Sequence, residues 1–251
     1  MKALKGKVAL VTGASRGVGA GIARVLARHG ADVAVNYVHS QEQANAVCEH
    51  IRSLGCRAYP IQANVTDGQA IKRMTAEIEQ NLGTITIMVN NAGHNPVRNI
   101  LEISETDWDC VLNLNLRAYF LCIKAVLPEM LERKDGRIIN ITSISAQRGG
   151  LSGDVDYTAA KAGIIGLTRA LARWAAPRGV LVNAIAPGYI DTEHLRDAAS
   201  PERLARRIDR IPLKRLGTPE EIGEVAAFLA GPGGTYVVGE VISVNGGIHI
   251  A

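Results

Sequence analysis

The chain has 251 residues, 47% of them hydrophobic, enough to bury one large core or at most two small ones. Its 28 Lys and Arg against 24 Asp and Glu leave a net charge of +4 spread along the chain, which argues against nucleic-acid binding. The cysteines form no C-x-x-C pair and the histidines no ligand spacing; the N-terminus lacks a secretory signal and no run approaches about 20 apolar residues, so the expectation is a metal-free, cytoplasmic protein that crosses no membrane.

Short β-branched runs alternate with longer helical patterns. Residues 8–12 read as a buried strand, followed by a glycine-rich turn and a helix around 21–29. Strands are predicted over 32–37, 58–62, 84–90, 137–142, 180–186 and 241–244. Helices are predicted over 41–54, 67–81, 106–130, from Tyr157 onward, and over 219–230. Such alternation specifies a parallel sheet with right-handed crossovers. The reading is one doubly wound, Rossmann-type α/β domain over 1–251, with a seven-stranded parallel sheet and helices on both faces.

The first strand ends in Thr12-Gly13-Ala14-Ser15-Arg16-Gly17-Val18-Gly19. Glycines here let the chain turn sharply and let backbone N–H groups approach a pyrophosphate at a helix N-terminus, so Gly13, Ser15, Gly17, Val18 and Gly19 are candidates for holding a dinucleotide. A carboxylate closing the second strand would grip the adenosine ribose and repel a 2′-phosphate. This strand closes instead in Asn36-Tyr37. Arg16 offers a cation to a 2′-phosphate, with Asn36 and Ser40 adding hydrogen bonds, and NADPH (NADP) is preferred over NADH.

Tyr157 and Lys161 lie at i and i+4, on one helical face. A phenol, with a pKa near ~10, exchanges protons poorly at neutral pH, and a neighbouring cation favours its ionised form. The pair is a candidate general acid/base.

With these residues in hand the chain resembles the short-chain dehydrogenase/reductase family along essentially its whole length. The landmarks fall in order: Gly13 to Gly19, Asn64-Val65, Asn90-Asn91-Ala92-Gly93, Asn115, Ser143, Tyr157 with Lys161, and Pro187-Gly188 followed by Ile190 and Thr192. The resemblance implies a catalytic set of Asn115, Ser143, Tyr157 and Lys161. Tyr157 would supply the proton, Lys161 would hold its pKa down and bind the nicotinamide ribose, Ser143 would polarise a carbonyl, and Asn115 would link Lys161 to solvent through water. Asn64 stands where many members carry Asp. Asn91, Ala92 and Gly93 are expected to line the cofactor through their backbone, and Asn90 to be structural. Asn113 and Ser145 are the neighbouring alternatives to Asn115 and Ser143.

The resemblance places a substrate lid at about 189–215, where Arg203, Arg206, Arg207, Arg210, Lys214 and Arg215 form either a solvated face or a basic rim for an anionic substrate. Ser143, Gln147, Tyr157 and Tyr189 are the substrate-side candidates, with His94, Asn95, Arg148 and Leu151 also expected near the pocket. The chain looks nearest to 3-oxoacyl-[acyl-carrier-protein] reductases, with Arg133, Lys134 and Arg178 where those carry carrier-binding basic residues. The function implied is reduction of a 3-oxoacyl thioester. A sugar, steroid or other secondary-alcohol dehydrogenase and a non-catalytic dinucleotide sensor are the alternatives. The family usually forms homotetramers.

Overall fold

The computed structural model of the chain describes residues 2–150, 154–197 and 200–250. Seven strands, β1 (Val8–Val11), β2 (Asp32–Tyr37), β3 (Ala58–Gln62), β4 (Ile87–Asn90), β5 (Gly136–Ile141), β6 (Val180–Pro187) and β7 (Val241–Val244), pair in parallel. Their order across the sheet is β3-β2-β1-β4-β5-β6-β7, the architecture expected from the sequence.

Side-chain parity divides the core in two. Ala9, Val11, Val33, Val35, Val89 and Ile139 face α1 (Gly17–Arg28), α2 (Gln41–Ser53) and α10 (Pro219–Ala230). Val8, Leu10, Ala34, Met88 and Ile138 face α3 (Gly68–Asn81), α5 (Ala118–Arg133) and α7 (Val155–Ala175). Because successive strand side chains point to opposite faces, a strand covered on both sides must be apolar throughout, and β1 and β4 are buried along their whole length.

The helix predicted over 106–130 runs unbroken from Glu105 to Arg133: α4 (Glu105–Leu112), a π-helical segment (Asn113–Arg117), then α5. At 29 residues it is long and apolar enough to cross a bilayer by length and composition, which corrects the expectation that no segment reaches that size. Arg117 and Lys124 interrupt the run when it is read as sequence. In the fold its inner residues, Cys122, Ile123, Val126 and Met130, are buried against the sheet.

Between β5 and α7 lies a single helical turn, α6 (Ser145–Arg148), and the expected lid folds into α8 (Glu193–Asp197) and α9 (Pro201–Asp209). These short helices were not foreseen, because α6 and α8 span four and five residues and α9 offers only Leu204 and Ile208 as an apolar i, i+4 pair. The lid is anchored at its ends, by the Ile190–Gly217 bridge and by Leu213 N–H donating to Gly246 O at 3.3 Å.

Helices α1 and α10 approach closely through two glycines. A Cβ added to Gly21 would lie 2.6 Å from the Pro219 carbonyl carbon, and one added to Gly223 would lie 2.6 Å from Val25 Cγ2. The obstacle to Gly21 is backbone, which cannot rotate away. Gly21→Ala should therefore cost about 1–3 kcal/mol of stability through overpacking, read as a lower urea midpoint at unchanged slope. A wild-type midpoint would show that the two helices separate freely.

Candidate active site

Strands β1 and β4 are neighbours whose chains depart to opposite halves of the sheet, so a crevice opens at their carboxyl ends. Gly13 and Gly17 hold φ values of 60° and 56° in the turn that fills it, a conformation glycine adopts without strain. The turn is tied down from behind. Asn91 Nδ2 donates to Thr12 O (2.9 Å) and Gly13 O (3.1 Å), while Thr12 Oγ1 accepts from the N–H groups of Asn91 (2.9 Å) and Ala92 (3.1 Å). A Cβ on Gly19 would lie 2.5 Å from Asn91 Nδ2, so that position must stay bare. Thr12 was missed in the sequence, where it reads as the last residue of a strand. Asn91 and Ala92 both commit their backbone N–H groups to it.

Asn36 requires a correction. It is buried beneath the turn, with Oδ1 accepting from Gly13 N–H at 3.2 Å and Nδ2 donating to Ala63 O at 3.0 Å, so it shapes the glycine turn from below and has no amide group left for a phosphate. Arg16 is exposed, extended at the N-cap of α1, and pairs with no carboxylate among the described residues. Tyr37 closes β2 in a buried position, and Ser40 precedes α2 without capping it through its side chain. Asn64 Oδ1 accepts from the Thr66 N–H and hydroxyl, which leaves only its Nδ2 to meet a ligand, and Val65 is buried beside it.

At the carboxyl end of β5 the Ser143 hydroxyl accepts from Ser145 N–H at 3.1 Å and lies near enough to the Tyr157 phenol to influence its ionisation. Lys161, one turn along α7, is buried, and its Nζ donates to Tyr119 Oη (3.1 Å) and Ile141 O (3.0 Å). Asn115 is fully buried in the π-helical segment. Its Nδ2 donates to His94 O (2.9 Å) and Val111 O (3.0 Å), and its Oδ1 accepts from His94 N–H (3.2 Å). Asn113 instead binds the exposed Arg117. A Cβ on Gly93 would lie 2.6 Å from Asn115 Oδ1 and 3.4 Å from Lys161 Nζ, so this glycine lets both side chains meet the β4 loop. Asn90 is structural: its Nδ2 donates to Asn140 Oδ1, whose own amide donates to Thr168.

The electrostatics reverse one expectation. Burial pushes the Tyr157 phenol up to about 12; the Ser143 hydrogen bond pulls against this, and the Asp154 carboxylate adds to it. Burial also brings the Lys161 ammonium down to about 7. Desolvation disfavours the charged form of each group, and in this ligand-free site it outweighs the expected lowering of Tyr157 by Lys161.

The lid reaches across the groove. Thr192 Cγ2 lies 3.4 Å from where a Gly17 Cβ would be, and the His194 ring stands edge-on to that of His94 with centroids 5.6 Å apart. Gly188 N–H donates to Val244 O, and Pro187 and Ile190 are buried, Ile190 with its side chain in the core. Tyr189 stacks under Arg207 at 5.2 Å. Gln147 Oε1 accepts from Ser243 Oγ on β7 at 3.1 Å, which leaves its Nε2 to meet a ligand. Arg148 reaches Ile248 O, Asn95 donates to Asp154 Oδ2 at 2.7 Å, and Leu151 lies outside the described residues. Arg133, Lys134 and Arg178 precede β5 and β6, at the end of the sheet opposite Tyr157, a strand length of roughly 20 Å away. Arg178 there stacks on Trp174 at 4.3 Å. These three residues do not rim the groove of their own chain.

Residues 13–249 match a family model described as enoyl-(acyl carrier protein) reductase. Over 244 residues the chain is 43% identical to a 3-oxoacyl-[acyl-carrier-protein] reductase of Staphylococcus epidermidis, covering 97% of this chain and 99% of that protein. A blue fluorescent protein from a metagenomic library, solved in complex with NADPH, is 39% identical with a TM-score of 0.92, over 99% of this chain and 100% of the other. A short-chain dehydrogenase from Burkholderia cenocepacia J2315, solved in complex with NADP, is 36% identical with a TM-score of 0.90, over 98% and 99%.

The Lys161 shift has a consequence for stability. In the folded protein Lys161 titrates at about 7, against an ordinary 10.5. Between those values the unfolded chain binds more protons, so the contribution of Lys161 to stability rises with pH from about 7 to 10.5. In ligand-free protein the melting temperature of wild type relative to Lys161→Met should climb across that window. A constant difference would show that Lys161 titrates normally.

Proposed function

This chain belongs to the short-chain dehydrogenase/reductase family, and from that premise we infer that it is an NADPH-dependent reductase of 3-oxoacyl thioesters. The observation that carries the reading is the Ser143 hydroxyl beside the Tyr157 phenol at the carboxyl end of β5, with the buried Lys161 one turn along α7.

The groove has features that fit NADPH. The N-terminus of α1 carries no side-chain cap, no carboxylate closes β2, and the exposed Arg16 is unpaired among the described residues. Gly13, Ser15, Gly17, Val18 and Gly19 would hold the diphosphate, Arg16 the 2′-phosphate with Ser40 nearby, and Val65, the carbonyls of Asn91 to Gly93 and the Gly188 to Thr192 segment the remainder. When bound, the cofactor supplies a hydride to the carbonyl carbon.

What remains is carried by the chain. Ser143 and Tyr157 present two hydroxyls to one carbonyl oxygen, where negative charge develops during reduction. Tyr157 gives that oxygen its proton, which completes a secondary alcohol and leaves a phenolate. A phenol raised to about 12 does this only if the phenolate is stabilised, and the Lys161 ammonium is the nearby cation able to do so, with its Nζ 5.6 Å from the Tyr157 ring centroid. Asn115 keeps the β4 loop in register with Lys161 by bonding both backbone groups of His94. Two hydroxyls aimed at one point suit a polar C=O, which favours the 3-oxoacyl reading over the enoyl reduction in the family description.

The lid supports an anionic substrate. Lys214 and Arg215 are held by Asp209 and Glu221, whereas Arg203, Arg206 and Arg210 are exposed on or beside α9 with no ion pair among the described residues. A phosphopantetheine thioester, on coenzyme A or on an acyl carrier protein, has the charge to meet them. The apolar side chains left open on the outer surface, Phe120 on α5, Trp174 on α7 and Ile250 at the C-terminal end, support a homotetramer. The four cysteines are unpaired, as suits the reducing cytoplasm.

Purified protein should oxidise NADPH in the presence of acetoacetyl-CoA, and Tyr157→Phe should lower kcat by roughly 10²–10⁴-fold while NADPH still binds. Wild-type turnover in that variant would remove Tyr157 from the proton step, and no turnover by the wild type would end the thioester reading. Arg16→Ala should weaken NADPH binding by roughly 10–100-fold, the value of a charge-assisted bond, and leave NADH little changed. Equal losses would show that Arg16 does not select the 2′-phosphate.

A further inference from the structure

The proton-transfer scheme leaves a buried ionisable side chain beside Lys161 without a role. Tyr119, on α5, is among the largest fully buried side chains, and its hydroxyl lies at the edge of the catalytic cluster. Three contacts close a small ring there. Tyr119 Oη donates to Ile141 O at 3.0 Å, Lys161 Nζ donates to the same carbonyl at 3.0 Å, and Lys161 Nζ donates to Tyr119 Oη at 3.1 Å. Because the phenol proton goes to Ile141 O, the oxygen lone pairs of Tyr119 are left for the ammonium. The ammonium also lies 5.0 Å from the Tyr119 ring centroid and 5.6 Å from that of Tyr157, between two aromatic rings.

We propose that Tyr119 is a positioning residue for Lys161. Its phenol oxygen is the side-chain acceptor that holds the ammonium against β5, and together with the Ile141 carbonyl it occupies two of the three N–H groups so that one remains for the site. No carboxylate among the described residues pairs with Lys161, so the ammonium depends on these two neutral oxygens. A buried cation with unsatisfied N–H groups would give up its proton or swing away.

The groups that bear on this titration are few. Tyr119 itself is raised well above the usual phenol range, by burial first and then by Tyr157 and Cys122, so it stays protonated and acts as a neutral acceptor. Tyr157 is raised to about 12, with Asp154 contributing, and Cys122 to about 12 by burial. None of the three flanking groups ionises before Lys161 does.

The test reads Lys161 directly and does not require the reductase reading to hold. In ligand-free protein, the 13Cε resonance of Lys161, assigned by its loss in Lys161→Met, should titrate near 7. Tyr119→Phe keeps the ring and removes the acceptor, and should lower that midpoint by about one unit or more, the size of a lost hydrogen bond to a charged group. The alkaline limb of the kcat profile with acetoacetyl-CoA should move the same way. Should Tyr119→Phe not fold, Tyr119→His, with an acceptor nitrogen, should keep the midpoint near wild type and Tyr119→Leu should lower it. Equal midpoints with and without the acceptor overturn the proposal. A shifted midpoint in a protein that never turns over acetoacetyl-CoA would leave this assignment standing and remove the substrate reading alone.

Discussion

Strands β1 and β4 end side by side and their chains then leave in opposite directions, so the backbone groups just past them lose their ladder partners inside the protein. Thr12, Asn91 and Asn36 replace those partners. The Thr12 hydroxyl takes two N–H groups of the β4 loop, the Asn91 amide takes two carbonyls of the β1 loop, and Asn36 takes the Gly13 N–H from below. With its outward bonds satisfied from behind, the glycine turn presents a bare helix end to the groove. The same device recurs after β4, where Asn115 bonds both backbone groups of His94 and thereby sets the distance from that loop to Lys161. Positions 13, 17, 19 and 93 are glycine because these side chains and the turn leave little or no room for a Cβ or demand a positive φ.

That rigidity has an electrostatic cost. Lys161 is buried and Tyr157 partly so, and the structure gives Lys161 neutral oxygens in place of a carboxylate. A carboxylate would have kept the ammonium charged and cancelled its field at Tyr157. Neutral acceptors leave that field uncompensated at Tyr157, where the proposed reaction would form a negative charge. The shifts of Tyr157 to about 12 and Lys161 to about 7 in the ligand-free site follow from the same burial that makes the pair effective once a phenolate begins to form.

Much of this was legible in the chain. Continuous apolar strands between amphipathic helices gave the sheet, and the i, i+4 spacing put Tyr157 and Lys161 on one face. The misses share a physical origin, since each depends on which face of an element meets which neighbour. Asn36 has the parity of Ala34, which points it inward, yet nothing in the sequence says that Gly13 lies above it. Tyr119 is one aromatic in an apolar run. Only the packing of α5 against β5 shows that its hydroxyl meets the catalytic lysine.

The placement of the lid separates two jobs that the sequence runs together. Lys161 is buried in α7 between β5 and α5, so any change that moved it would be paid for across the core. Helices α8 and α9 bury no residue of their own, and the segment is held by bonds at Tyr189 to Asp191 and at Leu213 and by the buried Ile211. Surface substitutions there are nearly free of stability consequences, so that segment can vary while the packing around Lys161 stays fixed. This explains how relatives with different names share one scaffold with this chain.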